Sequence, residues 1–424
     1  MLSGPLTGTS LTDWLDGRRR SCDMAIRQIP WDESREWIVE PKRIRHVSDA
    51  FFSIVGRGAA GVSDVNQPLI DQPEVGILGM LVRRDNGTPH LLVQAKAEPG
   101  NIGFVQAAPT VQATESNYLR RHHGRATALL EHFRDAPKAR VLSDSLQSEQ
   151  GTRFLDKYNR NMVVAVDGES IDEFAALRWA PFTEILPLLL QDFQINTDAR
   201  SVLASGPWRQ FALSGVPFGR WRGKGGLGEA LLLSYEMRFG AALAHLERLR
   251  HDQARSTIAL GLDELTDWEM TDTALRSTRD AGFELRAYMV TSTEREVDAW
   301  DQPFVVSTKE QRIALLCQEW DGLLHFAFRG RPEIGFRNVV QFGPTYLNDE
   351  TPTDAVALLS MRQSDEGGRF FRDVSRYEVV QSGDEAGSDD IAWMTLGEIE
   401  ANVRRPGVFN NEARSLISML LAFL

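Results

Sequence analysis

Polar side chains with acid–base character gather in three short stretches of the first half of the chain. In the first, Gln94, Lys96 and Glu98 alternate with alanines. On an extended strand this places an amide, a cation and a carboxylate on one face. Asn101, Gln106, Thr110 and Gln112 follow closely. Such a face suits a polar ligand, and it equally fits a solvated sheet surface. In the second stretch Asn117, Tyr118, Arg120, Arg121, His122 and His123 run nearly together, with Tyr118 and His122 at a spacing that a helix brings to one side. An imidazole that titrates near neutrality and a phenol that donates or accepts are suited to proton transfer; an ordinary surface helix carries the same pattern. The adjacent His122 and His123 diverge around a helix, which disfavours a metal pair. The third stretch holds Gln147, Ser148, Arg153, Arg160 and Asn161. Its two guanidinium groups could clamp a diphosphate through paired hydrogen bonds, or pair with carboxylates of the sheet.

The elements that must position these groups are written twice. At a constant offset of 235, Gln67-Pro68 matches Gln302-Pro303, Glu98 matches Glu333, Gln106 matches Gln341 and Pro109-Thr110 matches Pro344-Thr345. The offset falls to 216 where Gln147-Ser148 meets Gln363-Ser364 and Arg153-Phe154 meets Arg369-Phe370, then to 214 where Asn196 meets Asn410 and Arg200-Ser201 meets Arg414-Ser415. The first copy therefore carries 19 extra residues between Thr110 and Gln147, an insertion of the kind that falls on functional faces.

Within each copy, apolar runs over 75–82 and 89–96, and over 312–319 and 323–329, flank Asn86-Gly87 and Asp321-Gly322, a hairpin signal. Apolar spacing predicts helices over 117–133, 186–190, 200–203, 227–250 and 414–424, and strands over 161–166 and 377–381. The expected class is α+β: two tandem modules, each a mixed sheet flanked by helices, over 1–204 and 241–424, joined by a connecting segment over 205–240.

Composition bounds the function. The net charge is −12 and no long basic run exists, which disfavours nucleic acid as a partner. Two distant cysteines, Cys22 and Cys317, imply neither a disulfide framework nor a zinc site and fit a reducing cytoplasm. The apolar stretch near the C-terminus is too short for a membrane span, and the first residues lack the basic start and apolar core of a signal peptide. No G-x-x-x-x-G-K-[ST] loop, strand-borne G-x-G-x-x-G, G-x-S-x-G elbow or H-E-x-x-H helix occurs. No cofactor and no metal is therefore expected.

The stretches QAKAEPGN (94–101), PTVQATESNY (109–118), His122 with Gly124, QSEQGTRF (147–154) and NRNMVV (159–164), with QSDEGGRF (363–370) in the second copy, resemble the nucleotide-hexose 2,3-dehydratases of deoxysugar pathways. The resemblance covers nearly the whole chain. It implies a duplicated Nudix-like fold, a homodimer, and a dTDP-linked 4-keto-6-deoxyhexose as substrate. Its product would pass to a 3-ketoreductase or an aminotransferase. The acidic helix by which Nudix hydrolases hold magnesium is missing from both copies. In the second copy Pro344-Thr345-Tyr346-Leu347 and Phe328-Arg329-Gly330-Arg331-Pro332-Glu333 replace the first copy's motifs, so the active pocket is expected in the first.

The implied chemistry needs no cofactor. The 4-ketone acidifies the hydrogen on C3, a base removes it, and the 2-hydroxyl leaves by β-elimination with help from an acid. Expected roles are His122 or Glu98 as base, Tyr118 as acid, Lys96 polarising O4, and Arg153 and Arg160 on the diphosphate. Competing readings are a Nudix-type hydrolase of nucleotide sugars and a non-catalytic nucleotide-sugar-binding protein.

Overall fold

A computed structural model of the chain describes residues 9–115, 127–174, 176–212, 241–253, 256–295, 297–320, 322–336, 340–383 and 387–423. Two seven-stranded mixed sheets with the same connectivity dominate it. In the first, Gly76–Asp85 and Thr88–Ala97 form the expected hairpin. Asn86 and Gly87 turn it with φ of 49° and 81°, the paired positive angles that a two-residue turn needs to match strand twist. Tyr158–Ala165 adds in parallel to Gly76–Asp85, Val141–Ser148 pairs antiparallel outside it, and Leu177–Pro181 closes the other side against Thr88–Ala97. The second sheet repeats this with Gln311–Trp320, Leu323–Pro332, Val374–Gln381, Val356–Ser364 and Ile391–Thr395. A buried threonine ties each hairpin to its short capping strands. Thr110 accepts from the Leu81 amide at 3.0 Å and donates to the Leu92 carbonyl; Thr345 accepts from Leu316 at 2.9 Å and donates to the Ala327 carbonyl.

The halves are interlocked. Ala25–Ile29, ahead of the first half's own small sheet, pairs antiparallel with Phe283–Thr291 of the second half. In return Thr257–Leu260, at the start of the second half, pairs with Ser53–Ala59 of the first. One hydrophobic core runs from Leu11 to Leu421 through both seven-stranded sheets and the helices between them, Phe182–Leu188, Thr197–Ala204 and Asn411–Phe423.

Contacts across the junction are reciprocal. The Gly100 amide donates to the Gly367 carbonyl at 2.8 Å, and the Gly335 amide to the Gly151 carbonyl at 2.9 Å. Phe154 stacks on its counterpart Phe370 with ring centroids 5.6 Å apart. The backbones approach so closely that a β-carbon at Gly100 would meet the Phe370 carbonyl oxygen, and one at Gly335 the Phe154 carbonyl oxygen. Arg200 and Arg414 complete the pattern, each fully buried and each reaching into the other half.

One sequence expectation needs correction. In the described part of 117–133 only Glu131–Arg134 is helical; residues 128–130 form a turn, with Leu129 at a φ of 60°, a left-handed conformation that interrupts a helix. The described part of 227–250 is helical throughout, within Ala241–Asp252. Among the described residues no helix is long and apolar enough to cross a membrane.

Candidate active site

A cavity of about 440 Å³ opens where the first half's QAKAEPGN strand faces the second half's QSDEGGRF loop. That volume falls among small-molecule sites. The strand Thr88–Ala97 delivers Lys96 to it and Glu98 follows just beyond the strand end. Gln112, on the short strand Val111–Ala113, lies beside them. From the second half come Arg295, Trp300, Asp301, Glu366 and Arg369. The aromatic side is made by Trp37, Phe51, Phe52 and Trp300.

Three amides fix the Glu98 carboxylate. Gln112 Nε2 donates to Oε1 at 2.7 Å, while Asn101 Nδ2 and Asn196 Nδ2 donate to Oε2 at 3.0 and 3.2 Å. Asn196 also caps the helix Thr197–Ala204, accepting from the Ala199 amide at 2.9 Å. The cap thereby locks a cavity carboxylate to a helix start, and it orients the next acidic residue, Asp198, in the first turn. Glu149 is held by Asn159 Nδ2 at 2.7 Å and by Asn411 Nδ2 of the second half at 3.1 Å. Glu366 folds back onto its own loop, accepting from the amides of Gly368 at 2.8 Å and of Arg369. The cations interleave with these carboxylates. Lys96 Nζ lies 3.5 Å from the Gln112 carbonyl oxygen, Lys157 Nζ donates to the Glu74 carbonyl, and the Arg369 guanidinium stacks 4.4 Å above the Phe52 ring.

Loss of water decides the proton affinities. Burial, reinforced by the charges of Glu149, Glu98 and Glu366, pushes the Asp198 carboxyl well above the carboxylate range; Lys96 opposes weakly. A helix N-terminus favours the anion by only about 0.3–1 kcal/mol, too little to reverse that. Burial and the Glu98 charge raise Glu366 to about 7. Burial lowers Lys157 to about 8 against the pull of Glu149.

Raised carboxyls also occur across the junction: burial lifts Glu333 and Asp365 to about 7 and Glu412 to about 8. Such groups bind protons in the folded state that the unfolded chain has released. Their stabilising contribution is complete below about pH 4 and is lost as pH climbs through about 7 to 8, at roughly 1.4 kcal/mol per pH unit for each unbalanced proton. Lys157 acts oppositely only above about 8. Urea unfolding is expected to show a higher midpoint at about pH 6 than at about pH 8.5; an equal or inverted order contradicts the raised values.

The other sequence candidates lie as follows. Gln94 is half-buried on its strand and outside the cavity wall. Gln106 is sealed in the junction, donating to Ser364 Oγ at 3.1 Å. Ser148 donates to Gln341 Oε1 at 2.9 Å in the counterpart position. Thr110 is the hairpin tie described above. Gln147 Nε2 donates to the Val403 carbonyl at 2.8 Å, and Asn161 Nδ2 to Ser201 Oγ at 2.8 Å. Arg160 forms a two-point ion pair with Asp144 at 2.8 and 2.6 Å on the outer strand, away from the cavity. Arg153 is buried with its guanidinium 3.9 Å above the Phe283 ring, in the place related to that of Arg369 over Phe52. Asn117, Tyr118, Arg120 and His122 lie outside the described residues; Thr114, shortly before them, lines the cavity. The cavity is thus lined by residues of both halves. Sequence reasoning missed Arg369, Glu366, Lys157 and Asp198. The repeat alignment pairs Arg369 with Arg153 and so carried a signal for the first. Among the described residues no group of three or more His, Cys, Asp or Glu side chains could hold a metal ion.

A mixed-charge pocket of this make-up, lined by both halves of an α+β chain, can hold a polar small molecule and move protons on it. The chain belongs to the NDP-hexose 2,3-dehydratase family, whose sequence model matches residues 8–205, 241–351 and 346–420; it is a carbon–oxygen lyase of the hydro-lyase type. Three similar proteins carry the name dTDP-4-dehydro-6-deoxy-alpha-D-glucopyranose 2,3-dehydratase. One from Saccharopolyspora spinosa is 31% identical over 99% of this chain and 92% of its own length. One from Streptomyces violaceoruber is 34% identical over 96% and 95%, and one from Amycolatopsis orientalis 31% over 96% and 89%.

Proposed function

We propose that the chain removes water across C2 and C3 of dTDP-4-keto-6-deoxyglucose, giving a dTDP-3,4-diketo-2,6-dideoxyhexose. The observation that carries this reading is the convergence of Lys96 and Glu98 with Arg369 and Lys157 in one cavity. The names of the three relatives, matched along nearly the whole chain, support the same substrate.

In this reading the aromatic side of the cavity receives the thymine ring, and Arg369 with Lys157 holds the diphosphate. The 4-keto group faces Lys96, whose ammonium stabilises the negative charge that develops on O4. Glu98, held by three amides in a fixed pose, takes the hydrogen from C3. A positioned base of this kind contributes about 10²–10⁴-fold, because the ketone has already weakened the bond.

The same reading makes each half a Nudix-like module, over 1–204 and 241–424, descended from one duplicated unit. The shared connectivity of the two seven-stranded sheets supports it. Two chains form a homodimer in the cytoplasm and serve deoxysugar and antibiotic biosynthesis. The diketone product is reactive, so a 3-ketoreductase or aminotransferase consumes it.

The deciding experiment incubates the protein with dTDP-4-keto-6-deoxyglucose in D₂O without added metal and traps the products for mass spectrometry. Loss of one water with deuterium at C2 is the expected result. Release of dTMP, or recovery of unchanged substrate from a preparation that binds it, overturns the reading.

A further inference from the structure

Elimination needs a proton for the departing hydroxyl as well as a base for C3. Glu98 accepts hydrogen bonds from three amides, Glu149 from two side-chain amides and Glu366 from two backbone amides. Each of these arrangements presents N–H donors to the carboxyl oxygens. Asp198 differs. It lines the same cavity, is 8% exposed, and no described residue donates a hydrogen bond to its carboxyl. Its place is fixed by Asn196, which caps the helix and grips Glu98 and Gln112 at 3.2 and 3.0 Å.

We propose that Asp198 is the acid that protonates the departing 2-hydroxyl. This rests on the dehydratase reading and assigns to it a proton donor on the helix Thr197–Ala204. Burial and the three neighbouring carboxylates push the Asp198 carboxyl well above the carboxylate range, toward the neutral form that can give up a proton.

The step balances without any co-reactant. Glu98 takes the proton from C3 and the electron pair moves onto O4. Collapse of this enolate forms the C2–C3 double bond and breaks the C2–O bond. The hydroxyl leaves with the Asp198 proton as water. The enol then relaxes: Glu98, its proton exchanged with solvent, protonates C2, and the 3-hydroxyl proton passes to the Asp198 carboxylate. Both residues end as they began, and one water has left the sugar.

The test separates proton removal from water loss. Wild type, Asp198→Asn and Asp198→Glu are each incubated with dTDP-4-keto-6-deoxyglucose in D₂O. Water loss is followed by mass spectrometry of trapped products and C3 hydrogen exchange in recovered substrate by proton NMR, against an enzyme-free control. Asp198→Asn is expected to lower water loss by about 10²–10⁴-fold while recovered substrate still exchanges its C3 hydrogen. Asp198→Glu, which restores an acid, is expected to recover a measurable part of the water loss. Water loss by Asp198→Asn near the wild-type rate overturns the assignment. So does loss of exchange together with water loss in both variants, because that marks a role in positioning the base or in the fold. If wild type itself loses no water, the dehydratase reading fails, and the Asp198 assignment falls with it.

Discussion

Replacing Lys96 with methionine is expected to reduce turnover by about 10²- to 10³-fold, the effect of deleting one donor to a developing oxyanion. Methionine keeps most of the side-chain volume, so the strand Thr88–Ala97 and the packing of its neighbours Ala95 and Ala97, each 5% exposed, stay in place. What disappears is an ammonium group in a cavity that also holds Glu98, Asp198, Glu149 and Glu366. The enolate would then form without the ammonium that this reading places at O4. Arg369 and Lys157 remain to hold the diphosphate, so the loss should fall on kcat with KM changed little, the pattern of an interaction made in the transition state. Steady-state kinetics on the variant measures this. A variant with kcat within a few-fold of wild type, or with the whole effect in KM, removes Lys96 from the chemical step.

The second large effect is on the fold. Arg200→Met is expected to destabilise the protein by about 3–5 kcal/mol, because several buried acceptors lose their donor at about 1–3 kcal/mol each. Arg200 is fully buried and donates to the Ile195 carbonyl at 2.7 Å, to the Ser364 carbonyl at 2.9 Å, to Ser415 Oγ at 3.2 Å and to Gln363 Oε1 at 3.3 Å. Methionine satisfies none of these, and two of the acceptors end the strand Val356–Ser364, next to the loop that carries Glu366 and Arg369. Arg414 repeats the arrangement with Phe409, Ser148 and Ser201. Against a typical net stability of about 5–15 kcal/mol, either substitution removes a large share. Because one core and two exchanged strands join the halves, the urea transition should shift as a single step. A shift below about 1 kcal/mol, or separate transitions for the two halves, contradicts this account.

Much of the architecture was legible before any coordinates. Asn86-Gly87 between apolar runs announced a hairpin because only a few residue types tolerate two successive positive φ angles. The offsets of 235, 216 and 214 paired Thr110 with Thr345, Asn196 with Asn410 and Arg200 with Arg414, and each pair makes equivalent hydrogen bonds. Lys96 and Glu98 could be placed on one side of a strand because alternation is a local property of the backbone. The expectation of a continuous helix over 117–133 came from apolar spacing alone. Leu129 carries that spacing yet adopts a left-handed backbone, a detail that periodicity does not encode.

By itself, the order of residues determined that the two halves of the chain match each other, where each half turns, and which polar groups the first could present. Only the tertiary structure decided that Arg369, not its twin Arg153, faces Lys96, and that Glu366, Lys157 and Asp198 join them. The physical reason is range. Strand alternation and helix capping are set by neighbours a few residues away. The cavity forms where two copies exchange strands and lay their glycine-bearing loops against each other, so its walls come from segments hundreds of residues apart. Proton affinity follows the same rule, since Asp198 is an unremarkable helix-cap neighbour until burial brings three other carboxylates to its side.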